Sequence, residues 1–150
     1  MNSEKITQDS DLSLKLFVVL NRALQSIEKQ VIKDIKNHGL NLSEFAVLEL
    51  LYNKGDQPIQ KIGQKVLLAS SSMTYVVDKL ETKEYLKRRA CPNDRRVTYA
   101  TLTELGKQLM DDIFPEHKKA IDHIMGGLNY EEKESMIDQL KKLGYYAQKN

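Results

Sequence analysis

The sequence predicts a mainly α chain with one small β-hairpin, its central third arranged as a helix-turn-helix followed by a wing. Three observations carry this. Apolar residues recur at three- and four-residue steps over most of the chain, the period of helices with one buried face. That period is lost after Tyr85, where Leu86-Lys-Arg-Arg-Ala90 and Arg96-Val-Thr-Tyr-Ala-Thr101 are short, partly alternating and flank the turn formers Pro92, Asn93 and Asp94. Between the second and third helical patterns of the middle section, Leu67-Leu68-Ala69 reads as a tight turn rather than a linker.

Each element follows from its residues. The first spans about 11–37, with Leu12, Leu16, Leu20, Leu24, Ile27, Val31 and Ile35 on one stripe. Phe17, Val18 and Val19 widen that stripe beyond what a surface helix of a single subunit needs, which points to burial against a partner chain. Gly39 suits its C-terminal stop. Asn41 with Glu44 three residues on is a capping-box pair opening a second helix, whose inner face is Phe45, Leu48, Leu51 and Tyr52. Gly55 ends it. Pro58 opens a short helix with Ile59, Ile62 and Val66 inward, and Ser70-Ser71-Ser72 leads into a fourth with Met73, Val76, Val77 and Leu80 inward. Helix resumes after the hairpin at Thr103, and Pro115 is expected to kink or restart it. Asn129 with Glu132 repeats the capping signature before a last amphipathic helix through Met136, Ile137, Leu140 and Leu143.

With 150 residues, the chain suits one domain. We divide it into flanking helices at about 11–37 and 103–150, suited to dimerisation, and a winged helix-turn-helix lobe at about 41–102. Its 41% hydrophobic and 29% charged residues exclude a disordered chain. No apolar run approaches the ~20 residues of a membrane span. The acidic, polar start lacks the pattern of a secretory signal, and a single cysteine cannot form an internal disulfide, so a cytoplasmic protein is expected. No phosphate loop, nucleophile elbow or paired catalytic acids are found, so neither an enzyme nor a cofactor is expected. His117 and His123 are six residues apart, which misses the step that puts two ligands on one helix face, so no metal is expected.

Charge gives the first functional direction. Residues 58–107 hold ten Lys/Arg against five acids, while the rest of the chain is net acidic. A basic middle third suits a polyanion. In a helix-turn-helix the second helix enters the major groove. Here it offers Ser70, Ser71, Ser72, Thr74, Tyr75 and Lys79, which suit base edges and phosphates. Arg88, Arg89, Arg95 and Arg96, with Lys87, crowd cations around one hairpin, a repulsion that an anion would offset. Asp94 can orient Arg96 by a charge-assisted hydrogen bond. The partner these residues fit is double-stranded DNA.

The stretch LNLSEFAVLELL…IQKIGQKVLLASSSMTYVVDKLE…LKRRACPNDRRVTYATLTELG resembles the MarR family of bacterial transcriptional regulators, from about residue 12 to the C-terminus. Its specific marks are the helix-turn-helix, the Asp-x-Arg wing at Asp94 and Arg96, and Leu102-Thr-x-x-Gly106. Within the family it is most similar to the MhqR-type quinone- and catechol-responsive repressors. The resemblance implies a winged-helix homodimer that binds a pseudo-palindromic operator as a repressor and is released by a small aromatic effector. The family's ligand pocket lies between the dimer helices and the DNA-binding lobe, which makes Phe17, His38, Phe45 and Tyr52 the candidate effector residues. An alternative trigger is Cys91, whose thiol sits among wing cations that favour the thiolate. Two departures stand out. Where the family has Lys-Lys-Gly-Leu after its recognition helix, this chain has Lys83-Glu84-Tyr85-Leu86, and many members carry Arg in place of Tyr75. Glycine supplies a left-handed residue there, a conformation costing another residue roughly 1 kcal/mol, so either Glu84 tolerates it or the entry into the wing is altered.

Overall fold

The computed structural model describes residues 3–66 and 70–149, excepting the side chains of residues 6, 7, 70 and 71. The elements are α1 (Ser3–Lys36), α2 (Leu42–Lys54), β1 (Gln57–Pro58), α3 (Ile59–Lys65), α4 (Ser70–Thr82), β2 (Leu86–Ala90), β3 (Thr98–Leu102), α5 (Glu104–Ile124) and α6 (Tyr130–Lys149). The winged helix-turn-helix is present, with three findings beyond the sequence reading. First, α1 begins two turns earlier than the apolar stripe does, and its 34 residues reach about 51 Å at the usual rise per residue. Second, the wing has a third strand. β1 pairs antiparallel with β3 through Gln57–Ala100 and Pro58–Tyr99, giving the order β1-β3-β2. Two residues carry no alternation to detect, and the missing N–H of Pro58 is tolerated on an edge strand. Third, α5 continues across Pro115 instead of restarting there. Proline there forgoes the bond that residue 115 would have donated to the Asp111 carbonyl and crowds that carbonyl with its ring.

The caps follow their sequence signatures. Glu44 N–H donates to the Asn41 side chain at 2.8 Å, and the Glu44 carboxylate accepts from the Asn41 N–H at 3.2 Å. Asn129 and Glu132 form the same reciprocal pair.

The core belongs to the central lobe. Phe45, Val47, Leu48 and Leu51 of α2 join Ile62 of α3, Met73, Val76, Val77 and Leu80 of α4, Leu86 and Ala100 of the sheet, and Met110 and Ile113 of α5. Among the described residues of α1 only Ile35 is fully buried, at its C-terminal end. The N-terminal two thirds of α1 leaves Leu12, Leu16, Phe17, Val19, Leu20 and Leu24 exposed, and α6 contributes no buried residue. The apolar stripes of α6 and of the N-terminal two thirds of α1 are therefore exposed in the single chain.

Candidate nucleic-acid interface

Helix α4 is amphipathic, and its burial pattern defines its free side. Met73, Val76, Val77 and Leu80 point into the core, while Ser72, Thr74, Tyr75 and Asp78 are exposed. Tyr75 is 66% exposed, a large ring presented to solvent at the first turns of the helix. Lys79 is half-buried, 4.0 Å from the Glu44 carboxylate, and Lys83 binds that carboxylate at 2.7 Å. Both cations are thus drawn toward α2.

The end of α4 sets the entry into the wing. Tyr85 N–H donates to the Leu80 carbonyl and Glu84 N–H to the Glu81 carbonyl, the paired bonds of a Schellman turn. That turn needs a left-handed residue at its second-last position, and Glu84 adopts φ +67°. Among the described residues it is the one non-glycine with positive φ. Two residues of the Leu102-Thr-x-x-Gly106 motif secure it. Thr103 Oγ1 donates to the Glu84 carbonyl at 2.6 Å and accepts from the Gly106 N–H, capping α5. Gly106 then packs so closely that a Cβ there would stand 2.1 Å from the Tyr85 carbonyl oxygen. A glycine is required at that contact.

The cations of the wing divide into two groups. Arg88 is turned back onto α4: its guanidinium bridges Asp78 and Glu81, with the Glu81 bond at 2.5 Å, and its backbone N–H also donates to Glu81. The two carboxylates raise the Arg88 pKa further above its already high value, Asp78 contributing most, so this charge is compensated within the chain. Arg89 lies 5.0 Å over the Tyr99 ring, its cross-strand partner, and pairs with Asp56 at 3.2 Å. Arg96 is different. Asp94 Oδ1 accepts from both its backbone N–H (3.0 Å) and its Nε (3.2 Å), yet the side chain is 91% exposed. The tip is ordered without being neutralised by packing, and Arg95 beside it is also exposed. Cys91 is half-buried, its N–H donating to the Val97 carbonyl across the hairpin.

A cavity of about 410 Å³ opens between the central lobe and the long helices. Val31 and Ile35 of α1, Phe45 and Glu49 of α2, Val66 after α3, and His117 of α5 are among its walls. The His117 ring is buried against Phe45, with centroids 4.4 Å apart. Its Nδ1 lies 3.0 Å from an Asp34 carboxylate oxygen and its Nε2 3.9 Å from Glu49. Because a carboxylate only accepts, Nδ1 carries the proton, and in the neutral ring Nε2 presents a lone pair.

Residues 40–98 match the MarR family. The chain is 57% identical to the HTH-type transcriptional regulator MhqR of Bacillus subtilis (strain 168) over 138 residues, covering 92% of this chain and 95% of that protein. The chain belongs to the MarR family. The fold of this MarR-type regulator matches AbsC from Streptomyces coelicolor with a TM-score of 0.84 at 19% identity, covering 93% and 97% of the two chains. It also matches Bordetella bronchiseptica BpsR, whose DNA binding is regulated by 6-hydroxynicotinic acid, with a TM-score of 0.77 at 24% identity and coverage of 87% and 98%. Its relatives and its fold are those of DNA-binding transcription regulators, not enzymes. Among the described residues no helix is long and apolar enough to cross a membrane, and no cluster of ligating side chains could hold a metal.

Within this MarR-type frame the residues singled out from sequence fall in different places. Ser72, Thr74, Tyr75 and Lys79 share α4, and Arg95 and Arg96 share the wing tip, whereas the side chains of Ser70 and Ser71 lie outside the described residues. Of the four aromatic candidates, Phe45 lines the cavity. Phe17 stands on the uncovered part of α1, His38 faces Asp34 and Glu116, and Tyr52 donates to Asp111 at 2.5 Å while packing on Phe114. The sequence reading missed His117 as a cavity residue and Glu44 as a link to α4. The signal for His117 is helical register, four residues after Ile113 on the buried face of α5.

Proposed function

We infer that this regulator is a homodimeric repressor that reads a pseudo-palindromic operator and lets go when a small phenolic or quinone-type molecule enters the cavity beneath α2. The observation that carries the DNA reading is the pairing of an exposed α4 face with a wing tip in which Asp94 orders an otherwise exposed Arg96. A cation held ready in this way suits the negative minor groove, while α4 suits the major groove. Reading two half-sites requires two copies about 34 Å apart. The apolar stripes of α1 and α6 support that assembly, since Leu16, Leu20, Leu140 and Leu143 stay exposed in one chain.

The effector class rests on the cavity. Its volume lies within the range of small-molecule sites. Phe45 offers a ring to stack on, and the Nε2 lone pair of His117 suits a phenolic hydroxyl as donor. The control of BpsR by a hydroxylated aromatic acid points the same way. The cavity joins α1 and α5 to α2 and the end of α3, so a ligand that favours another spacing of these helices shifts the dimer away from the operator geometry.

The test begins with an operator selected from random duplexes. Catechol or hydroquinone should release wild type from it, and His117→Ala, which loses the Phe45 and Asp34 contacts and so melts lower, should at a temperature where it is folded keep operator affinity but need ~10-fold more compound, the equivalent of one lost hydrogen bond. Normal release by His117→Ala would place the effector elsewhere.

A further inference from the structure

Helix α2 has two working faces. Phe45, Glu49 and Asn53 follow the helical step along the cavity wall. Glu44, about half a turn away from that stripe, faces α4 and is buried to 2% exposure. A carboxylate so buried is costly unless its oxygens are satisfied, and a hydrophobic residue of similar size would serve packing as well. Here both oxygens are used. Oε1 accepts from the Asn41 N–H and faces Lys79 at 4.0 Å, and Oε2 accepts from Lys83 Nζ at 2.7 Å. Lys79 and Lys83 are one helical turn apart across the C-terminal half of α4 and the residue that follows it. One buried anion therefore grips the helix from below at two successive turns. Apolar contacts between Val47, Leu48, Val76, Val77 and Leu80 hold α4 on α2 but tolerate sliding and rolling; a charged bond of 2.7 Å does not.

We propose that Glu44 is the positioning residue of DNA recognition: it sets the angle of α4 on α2 without touching DNA itself. The inference rests on α4 being the recognition helix. It accounts for why a capping residue that a glutamine could replace is a buried glutamate, and why Lys79 and Lys83 lean inward from a face otherwise suited to phosphates. Since α2 also walls the cavity, the grip ties the recognition helix to the element a ligand would press on.

The consequence separates specific from nonspecific binding. Nonspecific affinity depends on exposed cations and changes little when α4 tilts, whereas base contacts need the helix in register. Glu44→Gln keeps the capping box and removes the charge. It should lower the ratio of operator to random-duplex affinity by about tenfold or more, the size of one charge-assisted hydrogen bond, with the random-duplex affinity no lower than in wild type. Lys83→Met leaves Glu44 Oε2 without its 2.7 Å partner and so costs stability; compared at a temperature where its unfolding curve shows it folded, it should lower the same ratio while leaving the salt dependence of binding as in wild type, and Lys83→Arg should restore it. Tyr75→Ala, measured alongside, reports on α4 itself. An unchanged ratio in both Glu44→Gln and Lys83→Met overturns the proposal. So does a shallower salt slope in Lys83→Met, by about 0.9 for each phosphate lost, because Lys83 would then be a phosphate contact. If Tyr75→Ala leaves operator affinity intact, the recognition-helix reading has failed and the proposal falls with it; if Tyr75→Ala weakens binding and the other two do not, only the proposal has failed.

Discussion

Replacing Glu84 by glycine should make the protein more stable, an uncommon outcome for glycine. Glu84 holds φ +67° at the turn that closes α4. A left-handed conformation costs a residue with a Cβ roughly 1–2 kcal/mol, and glycine avoids that cost. Glycine's greater freedom in the unfolded chain opposes the gain by about 0.4–1 kcal/mol. The Glu84 side chain is exposed, and the interaction that matters at this residue is the Thr103 hydroxyl donating to its carbonyl, which glycine keeps. The net expectation is about 0.5–1 kcal/mol of added stability, or a rise in Tm of ~1–4 °C at this chain length. Thermal and guanidinium unfolding at fixed protein concentration would read it, concentration being held because assembly contributes to apparent stability. Glu84→Ala is the control, since it keeps the Cβ and should give no gain. If Glu84→Gly is neutral or destabilising, or if Glu84→Ala stabilises equally, the turn does not store the strain assigned to it.

Other outcomes follow from the same geometry. Gly106→Ala forces a Cβ against the Tyr85 carbonyl and should cost about 1–3 kcal/mol or more by denaturant unfolding, undoing the junction between wing and α5. Arg96→Ala should weaken operator binding by ~1–3 kcal/mol and flatten its salt dependence, whereas Arg88→Ala should weaken it with little change in slope, because Asp78 and Glu81 already hold that guanidinium. Equal slopes for the two variants would contradict that division of labour. The Tyr52 phenol is raised above its ordinary 10.0 because it donates to Asp111 and because its anion would face that carboxylate. What this contact adds to stability is present below pH 10 and fades as pH rises through the raised value. Asp111→Asn should bring one phenol titration back toward the ordinary range, read from phenolate ultraviolet absorbance.

Sequence alone determined the elements whose signals are local. The capping boxes at Asn41 and Asn129, the inward face of α4, the turn formers of the hairpin and the Asp94–Arg96 contact all lie within a few residues of their causes, and the uncovered stripe of α1 was visible as excess width. The left-handed position at Glu84 was also legible, through the family motif it departs from. Only the tertiary structure decided which charges are spent inside the chain. Arg88 and Arg96 are alike in sequence, eight residues apart in one basic hairpin, yet one is bound by carboxylates seven and ten residues back on α4 and the other stands free of packing. Glu44 meets Lys83 across 39 residues, and His117 meets Asp34 across 83. A charged side chain carries no periodic mark of its partner, because Coulomb attraction depends on distance in space and on shielding from water, and both are fixed only when the helices have packed.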